Sequence, residues 1–335
     1  MESAFYPDLS VRLFREAMST PIYRGVHLAA PLEQYMQVWM LGTGSPSLSV
    51  ARHGISTLVK ANGRWLLFDT GRATLQRMYE CGIPVPEVTD IFYTHLHSDH
   101  VCGLPDLWMT GWFVLHRRRP LRVFGPQGTA RAVDGLRELH HFDISVRSKY
   151  ETAEPAGRAI DVHEFTGGIV FDEDGVKVTA FAVDHGPDVR PAFGFRIDCN
   201  GRSIVLSGDT TLCDGVLEQA KGCDLLVHEI AGASSAQLAA NEITRRIISI
   251  HTDPQQMNEI CRRTRPRLTL LNHISVWRVT QYDILAKVRH GYDGEVELAH
   301  DRMEVLVGAE IRIFPPGPPV AGEDLIVSDT HRSTD

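Results

Sequence analysis

Within Asp90-Ile-Phe-Tyr-Thr-His-Leu-His-Ser-Asp-His100, a short apolar run delivers three histidines and an aspartate, and this stretch constrains the chain more than any other. Ile91 to Tyr93 is β-branched and aromatic, which reads as a buried strand with the polar residues on the loop at its end. Imidazole nitrogens and carboxylate oxygens suit zinc or a similar divalent ion. His95, His97, Asp99 and His100 offer more ligands than one tetrahedral zinc can use, so the natural reading is two adjacent metals. The competing reading, a solvated polar loop, fits poorly with so many histidines in so short a span.

A dinuclear site also needs a ligand from elsewhere in the chain and a bridging carboxylate. Three strand ends provide candidates. His185 follows the strand expected over Val176 to Val183, Asp209 sits in a tight Ser-Gly-Asp-Thr turn after Ser203 to Leu206, and His273 follows the apolar run Leu268 to Leu271. Each alone could simply satisfy a turn; together they complete a ligand set. Two metals sharing a water would lower its pKa and make it a nucleophile. Asp99 could accept that water's proton as well as bind metal. Asp69, in Phe68-Asp-Thr-Gly71, is expected to order the cluster loop by accepting a hydrogen bond from a ligating histidine.

The His-x-His-x-Asp-His pattern resembles the signature of the metallo-β-lactamase-fold hydrolases. Gly42-Thr-Gly-Ser-Pro46, Leu67-Phe-Asp-Thr-Gly71, Val183-Asp-His-Gly186, Ser207-Gly-Asp-Thr210, His228-Glu229, His251-Thr252 and Leu271-Asn-His-Ile274 occur in the order of its ribonuclease Z-like and arylsulfatase-like branch. The resemblance covers roughly residues 36 to 310. It implies an α/β (α+β) fold, an αββα sandwich of two mixed β-sheets flanked by helices. It implies that His95, His97 and His185 hold one metal, that Asp99, His100 and His273 hold the other, and that Asp209 bridges. It also assigns His251 as general acid. Glu229 could pair with that imidazole and fix its tautomer, and Asp253, Pro254 and Gln256 form the start of a capped helix just after it.

The rest of the chain sets the context. With 335 residues and 43% hydrophobic composition there is ample material for a core. The expected divisions are an N-terminal extension (1–35), a hydrolase domain (36–314) and a flexible proline-rich tail (315–335). Asn62-Gly63 and Asn200-Gly201 mark hairpins, a helix is expected over Ala73 to Cys81 and another over 129–141, and a possible short helix over Val11 to Met18. Residues 142–168 read as irregular and polar, and His140, His141, Asp143 and His163 match no compact metal site. Trp108, Trp112 and Phe113 read as core, with a pocket wall as the alternative. Six scattered cysteines that fit a reducing compartment, no membrane-length apolar run and an N-terminus unlike a secretory signal lead to the expectation of a cytoplasmic protein without a membrane partner.

The formal net charge of −8 gives no general affinity for polyanions, and His116-Arg-Arg-Arg119 reads as a solvated turn. Between Phe195 and Asp209 there is only a short hairpin where many ribonuclease Z proteins insert a long arm that grips transfer RNA. The expectation is therefore a dinuclear zinc hydrolase, a homodimer, acting on a small ester-like substrate (sulfate ester, phosphodiester, carboxylic ester or lactone), with nucleic acid unlikely. The alternatives are a transfer-RNA 3′-processing endoribonuclease and, from another class, a non-hydrolytic metal-binding or diiron redox protein.

Overall fold

In the computed structural model, residues 28–150 and 154–317 are described. The short helix expected over Val11 to Met18 and nearly all of the 315–335 tail lie outside them. The first half forms β1 (Met36–Gly42), β2 (Ser56–Ala61), β3 (Arg64–Phe68), β4 (Asp90–Phe92), β5 (Leu121–Pro126) and β6 (Ile160–Phe165). The second forms β7 (Gly168–Glu173), β8 (Val176–Ala182), β9 (Phe193–Cys199), β10 (Arg202–Leu206), β11 (Leu225–Ala233), β12 (Leu268–Trp277) and β13 (Glu295–Leu298). The chain then returns through β14 (Met303–Val307) and β15 (Ile311–Phe314) to the first sheet.

The eight-stranded sheet runs β15-β14-β1-β2-β3-β4-β5-β6, and the seven-stranded sheet β13-β12-β11-β10-β9-β8-β7. Each half begins with antiparallel hairpins and changes to parallel pairing, at β3/β4 and at β10/β11. The hairpin tips at Asn62-Gly63 and Asn200-Gly201 have positive φ, which Asn and Gly tolerate best. Parallel strands need crossovers, and helices such as Thr74–Glu80 and Pro254–Thr264 supply them on the outer faces. The result is two mixed sheets flanked by helices.

Three apolar layers hold this sandwich together. Between the sheets, Phe68, Phe92 and Phe124 stack in series, with centroids 5.0 and 4.8 Å apart, against Phe195 from the other sheet. Outside the sheets, Trp108, Leu107 and Met78 pack under the helices of the first half, and Met257, Ile260 and Ile284 under those of the second. Trp108 and Trp112 are core, each donating its indole N–H to a backbone carbonyl, of Arg158 and Glu154.

Two expectations are corrected here. The stretch expected to be irregular contains the helices His141–Arg147 and Pro155–Arg158 and the strand β6. His141–Arg147 buries none of its residues, and β6 is an edge strand burying only Ile160, so neither shows a readable burial period. The basic run is not wholly solvated either. Arg117 is fully buried and donates to the carbonyls of Leu107, Trp108 and Gly157 at 3.2, 3.0 and 2.9 Å. Two of these close the helix Leu104–Met109, where a cation is favoured by the helix dipole.

Candidate metal centre

The sequence-expected ligands come from the carboxyl ends of strands in both sheets, where open α/β sheets place their sites. The cluster His95–His100 follows β4, His185 follows β8, Asp209 follows β10, and His273 lies within β12. The β4 loop is pinned by its neighbour: Thr70 N–H donates to His100 O, and Gly103 N–H to Thr70 O, both at 2.7 Å. Gly71 makes this approach possible, because a Cβ there would lie 2.4 Å from Gly54 C and 2.7 Å from Asp99 O. His273 is aimed by a bulge. The β11/β12 register shifts after Glu229, which pairs with Asn272 while Ile230 pairs with Ile274, and His273 between them has φ 43°.

Seven side chains converge: His95, His97, Asp99, His100, His185, Asp209 and His273. All but His97 are buried. His95 Nε2 lies 2.9 Å from His97 Nδ1, and His185 Nε2 3.4 Å from the same atom. On the other side, Asp99 Oδ2 is 3.2 Å from His273 Nε2 and 3.7 Å from His100 Nε2. Asp209 Oδ2 stands between the two groups, 3.4 Å from His100 Nε2, 3.6 Å from His273 Nε2, 3.7 Å from His185 Nε2 and 4.0 Å from His95 Nε2.

The hydrogen bonds behind these atoms fix which nitrogen is free to bind. His185 Nδ1 faces the carbonyl of Ile250 at 3.0 Å, and a carbonyl only accepts, so the proton is on Nδ1 and the Nε2 lone pair points into the site. His100 Nδ1 donates to Asp69 Oδ2 at 2.8 Å, and Asp69 also accepts from Thr94 N–H and Oγ1–H at 3.0 and 2.9 Å. His95 Nδ1 lies 3.0 Å from Thr94 Oγ1. Desolvation, only partial at the exposed His97 where the neighbouring His185 ring adds to it, holds the His95, His97 and His185 imidazoles below their ordinary range and favours the neutral form that metal ligands need.

This donor set fits a divalent metal. His100 Nε2 is buried without a hydrogen-bond partner, and the ligand atoms of His95, His97 and His185, like those of Asp99, His100 and His273, lie close enough together to share one ion. Burial opposes the ionised form of Asp209, yet the His273 and His100 rings outweigh it and hold its carboxyl well below the usual carboxylate range.

His251 and Glu229 meet beside the centre. The His251 ring stacks at 5.8 Å on His273 and meets His185 edge-on at 4.9 Å. Its Nδ1 lies 3.2 Å from Glu229 Oε1, an ion-pair distance without full hydrogen-bond alignment. Glu229 Oε1 accepts the N–H groups of Thr252 and Thr210 at 2.7 and 3.3 Å. The Thr252 contact is set by the helix that follows, whose start has Asp253 and Gln256 in a reciprocal capping box with Pro254 in the first turn.

Several contributors carry no sequence signal of their own. Thr94 serves both His95 and Asp69 through one hydroxyl, and only its position before a ligand hints at that. Asp301 accepts from Thr43, His53 and Arg77 and thereby fixes the loop after β1, a contact across 258 residues to Thr43 that no local pattern reveals. His140, His141, Asp143 and His163 form no candidate metal cluster among the described residues.

Residues 64–274 match the family described as beta-lactamase superfamily domain. Ribonuclease Z of Mycobacterium marinum is 35% identical over 280 residues, covering 82% of this chain and 99% of that protein. Ribonuclease Z of Mycolicibacterium gilvum is 33% identical over 288 residues, 84% of this chain and 100% of that one. The crystal structure of human tRNase Z, short form, superposes with TM-score 0.60 at 26% identity, covering 80% of this chain and 98% of that one. The metallo-β-lactamase fold protein YhfI from Bacillus subtilis superposes with TM-score 0.61 at 18% identity, covering 81% and 99%, and attests the fold alone. These relatives overturn the expectation of a small ester-like substrate with nucleic acid unlikely. Net charge and a missing arm described the whole chain and one insertion; kinship over nearly the full length of ribonucleases outweighs both.

Proposed function

This chain belongs to the β-lactamase superfamily, in its ribonuclease Z-like branch of metal-dependent hydrolases, and on that premise we propose that it is an endoribonuclease that processes the 3′ end of transfer RNA. The observation that carries this reading is the His251–Glu229 pair set against the seven converging ligands, on a chain that matches ribonuclease Z proteins along almost their entire length.

In this reading the ions would be zinc, two per chain: His95, His97 and His185 would hold one, Asp99, His100 and His273 the other, and Asp209 would serve both. When bound, they would acidify water and draw charge from the scissile phosphodiester. Asp99 would face the ion through Oδ2, beside His273 and His100, and take the proton of the attacking water on its second oxygen. Glu229, held by the N–H groups of Thr252 and Thr210, keeps the proton on His251. His251 delivers that proton to the departing ribose oxygen, which is too basic to leave as an alkoxide. The catalytic unit is assigned to residues 36–314 and its location to the cytoplasm. No helix among the described residues is long and apolar enough to cross a membrane.

The test is incubation of zinc-loaded protein with a precursor transfer RNA carrying a 3′ trailer. One cut at the mature 3′ end is expected. An intact precursor beside rapid turnover of aryl sulfate or carboxylic ester substrates would end this reading.

A further inference from the structure

Adjoining the metal centre, between the two sheets, lies a cavity of about 30 Å3 lined by the ligands His100, Asp209 and His273 and, beyond them, by Ser207, Glu229 and Asn272, all buried. A site of this size, with two to four polar partners, is what a buried water requires, on the order of 10–15 Å3 each. Four unsatisfied atoms belong to residues lining it: His100 Nε2, which faces the Asp99 and Asp209 carboxylates of the metal centre, and His273 Nδ1, Asn272 Oδ1 and Glu229 Oε2.

The ring nitrogens turned away from the metal side set His273 apart. His95 has Thr94 Oγ1, His100 has Asp69 Oδ2, His185 has the Ile250 carbonyl, and His97 is exposed to solvent. A ligating histidine almost always donates its other N–H to a carboxylate, a carbonyl or water. With a metal ion between its Nε2 and the Asp99 and Asp209 carboxylates, which lie 3.2 and 3.6 Å away, His273 would carry its proton on Nδ1 and offer one donor. Asn272 Oδ1 and Glu229 Oε2 offer two acceptors. Glu229 and Asn272 are direct neighbours across β11 and β12, and the bulge at His273 brings the next residue to the same cavity. One donor and two acceptors are the complement of a single water molecule, which accepts one hydrogen bond and donates two.

We propose that this cavity is a built water site, in which one water accepts from His273 Nδ1–H and donates to Asn272 Oδ1 and Glu229 Oε2. Asn272 is then a positioning residue: through the water it holds the His273 tautomer whose Nε2 is free for metal. The same water joins the carboxylate that holds His251 to a ligand of the metal pair. The inference rests on the metal-centre reading and is independent of the RNA substrate.

The experiment is a high-resolution crystal structure of the zinc-loaded protein, paired with the rate of zinc release to a chelator. A solvent peak within hydrogen-bonding distance of His273 Nδ1, Asn272 Oδ1 and Glu229 Oε2 is expected. Asn272→Leu, which removes the acceptor and fills the cavity, is expected to speed zinc release by about 10- to 100-fold. Asn272→Ser, which leaves room for a second water, is expected to recover most of that loss. An absent peak in the wild-type protein overturns the proposal, and so does a folded Asn272→Leu variant that holds zinc as tightly as wild type. Should that variant not fold, the wild-type solvent peak decides alone. A protein that shows the peak and the release pattern but cuts no RNA keeps this inference and loses the substrate reading.

Discussion

His251 Nδ1 lies 3.2 Å from Glu229 Oε1, and the same oxygen accepts the N–H of Thr252, the residue next to that histidine. The carboxylate therefore both places the loop and charges the ring. Burial alone would depress the imidazole, but the Glu229 charge outweighs it and the ring is pushed up to about 9. The sign follows. A folded-state value above the unfolded 6.5 stabilises the metal-free protein fully below that pH, and the contribution is lost as pH rises through about 9. In metal-free protein, an NMR titration of the His251 ring is expected to have its midpoint well above the ordinary range. Glu229→Gln is expected to move it sharply down, because burial then faces only the weaker pull of the Asp209 charge. An unmoved midpoint would rule out the pairing.

His251→Ala is expected to retain metal while losing about 10²- to 10⁴-fold in RNA cleavage, the usual worth of a positioned proton donor. Hydrolysis of bis(p-nitrophenyl) phosphate, whose leaving group departs without a proton, is expected to change little. Equal losses on the two substrates would make His251 a structural residue.

Asp69 touches no metal in this arrangement, yet it holds the His100 ring through Nδ1 and the Thr94 hydroxyl that faces His95. Asp69→Ala is expected to weaken zinc binding by about 10- to 100-fold while the wild-type protein holds two ions per chain. Chelator competition followed by metal analysis measures both. Wild-type affinity in the variant would mean that His100 is oriented by something else.

The cluster after β4 was legible because ligand chemistry forces unusual residues into a short span, and the two Asn-Gly hairpins because positive φ restricts what can stand there. The capping box before Pro254–Thr264 was legible for the same local reason. What stayed hidden was non-local or unpatterned. β12 runs on to Trp277, but the apolar run stops at Leu271, where Asn272 and the bulged His273 turn polar groups inward. The exposed helix His141–Arg147 shows no buried face, and Arg117 is buried by carbonyls that only the fold brings together. The substrate was misread because net charge is a sum over the chain, whereas RNA is gripped by a few cations at one place.

Those cations are expected where the chain approaches the centre. Between β9 and β10 there is only the Asn200-Gly201 hairpin, so no long arm is available at that point. The excursion from Ser234 to Ile250 leaves the end of β11 and returns at His251, and its second helix, Glu242–Ile248, carries Arg245 and Arg246 on its exposed side. Arg246 reaches Asp188 at 3.0 Å, but that pair is about three-quarters exposed and contributes little stability, leaving the guanidinium free to exchange partners. Precursor RNA affinity is therefore expected to fall steeply as salt rises, because each phosphate contact releases counterions that added salt forces back. Arg245→Glu with Arg246→Glu should weaken RNA binding and flatten that salt dependence, with zinc content and aryl phosphodiester turnover unchanged. Asp209→Ala is the control, since loss of the shared carboxylate should abolish cleavage, and residual cutting in it would reveal a contaminating nuclease. Salt-independent binding, or a double variant that binds RNA like wild type, would move the RNA grip away from this excursion.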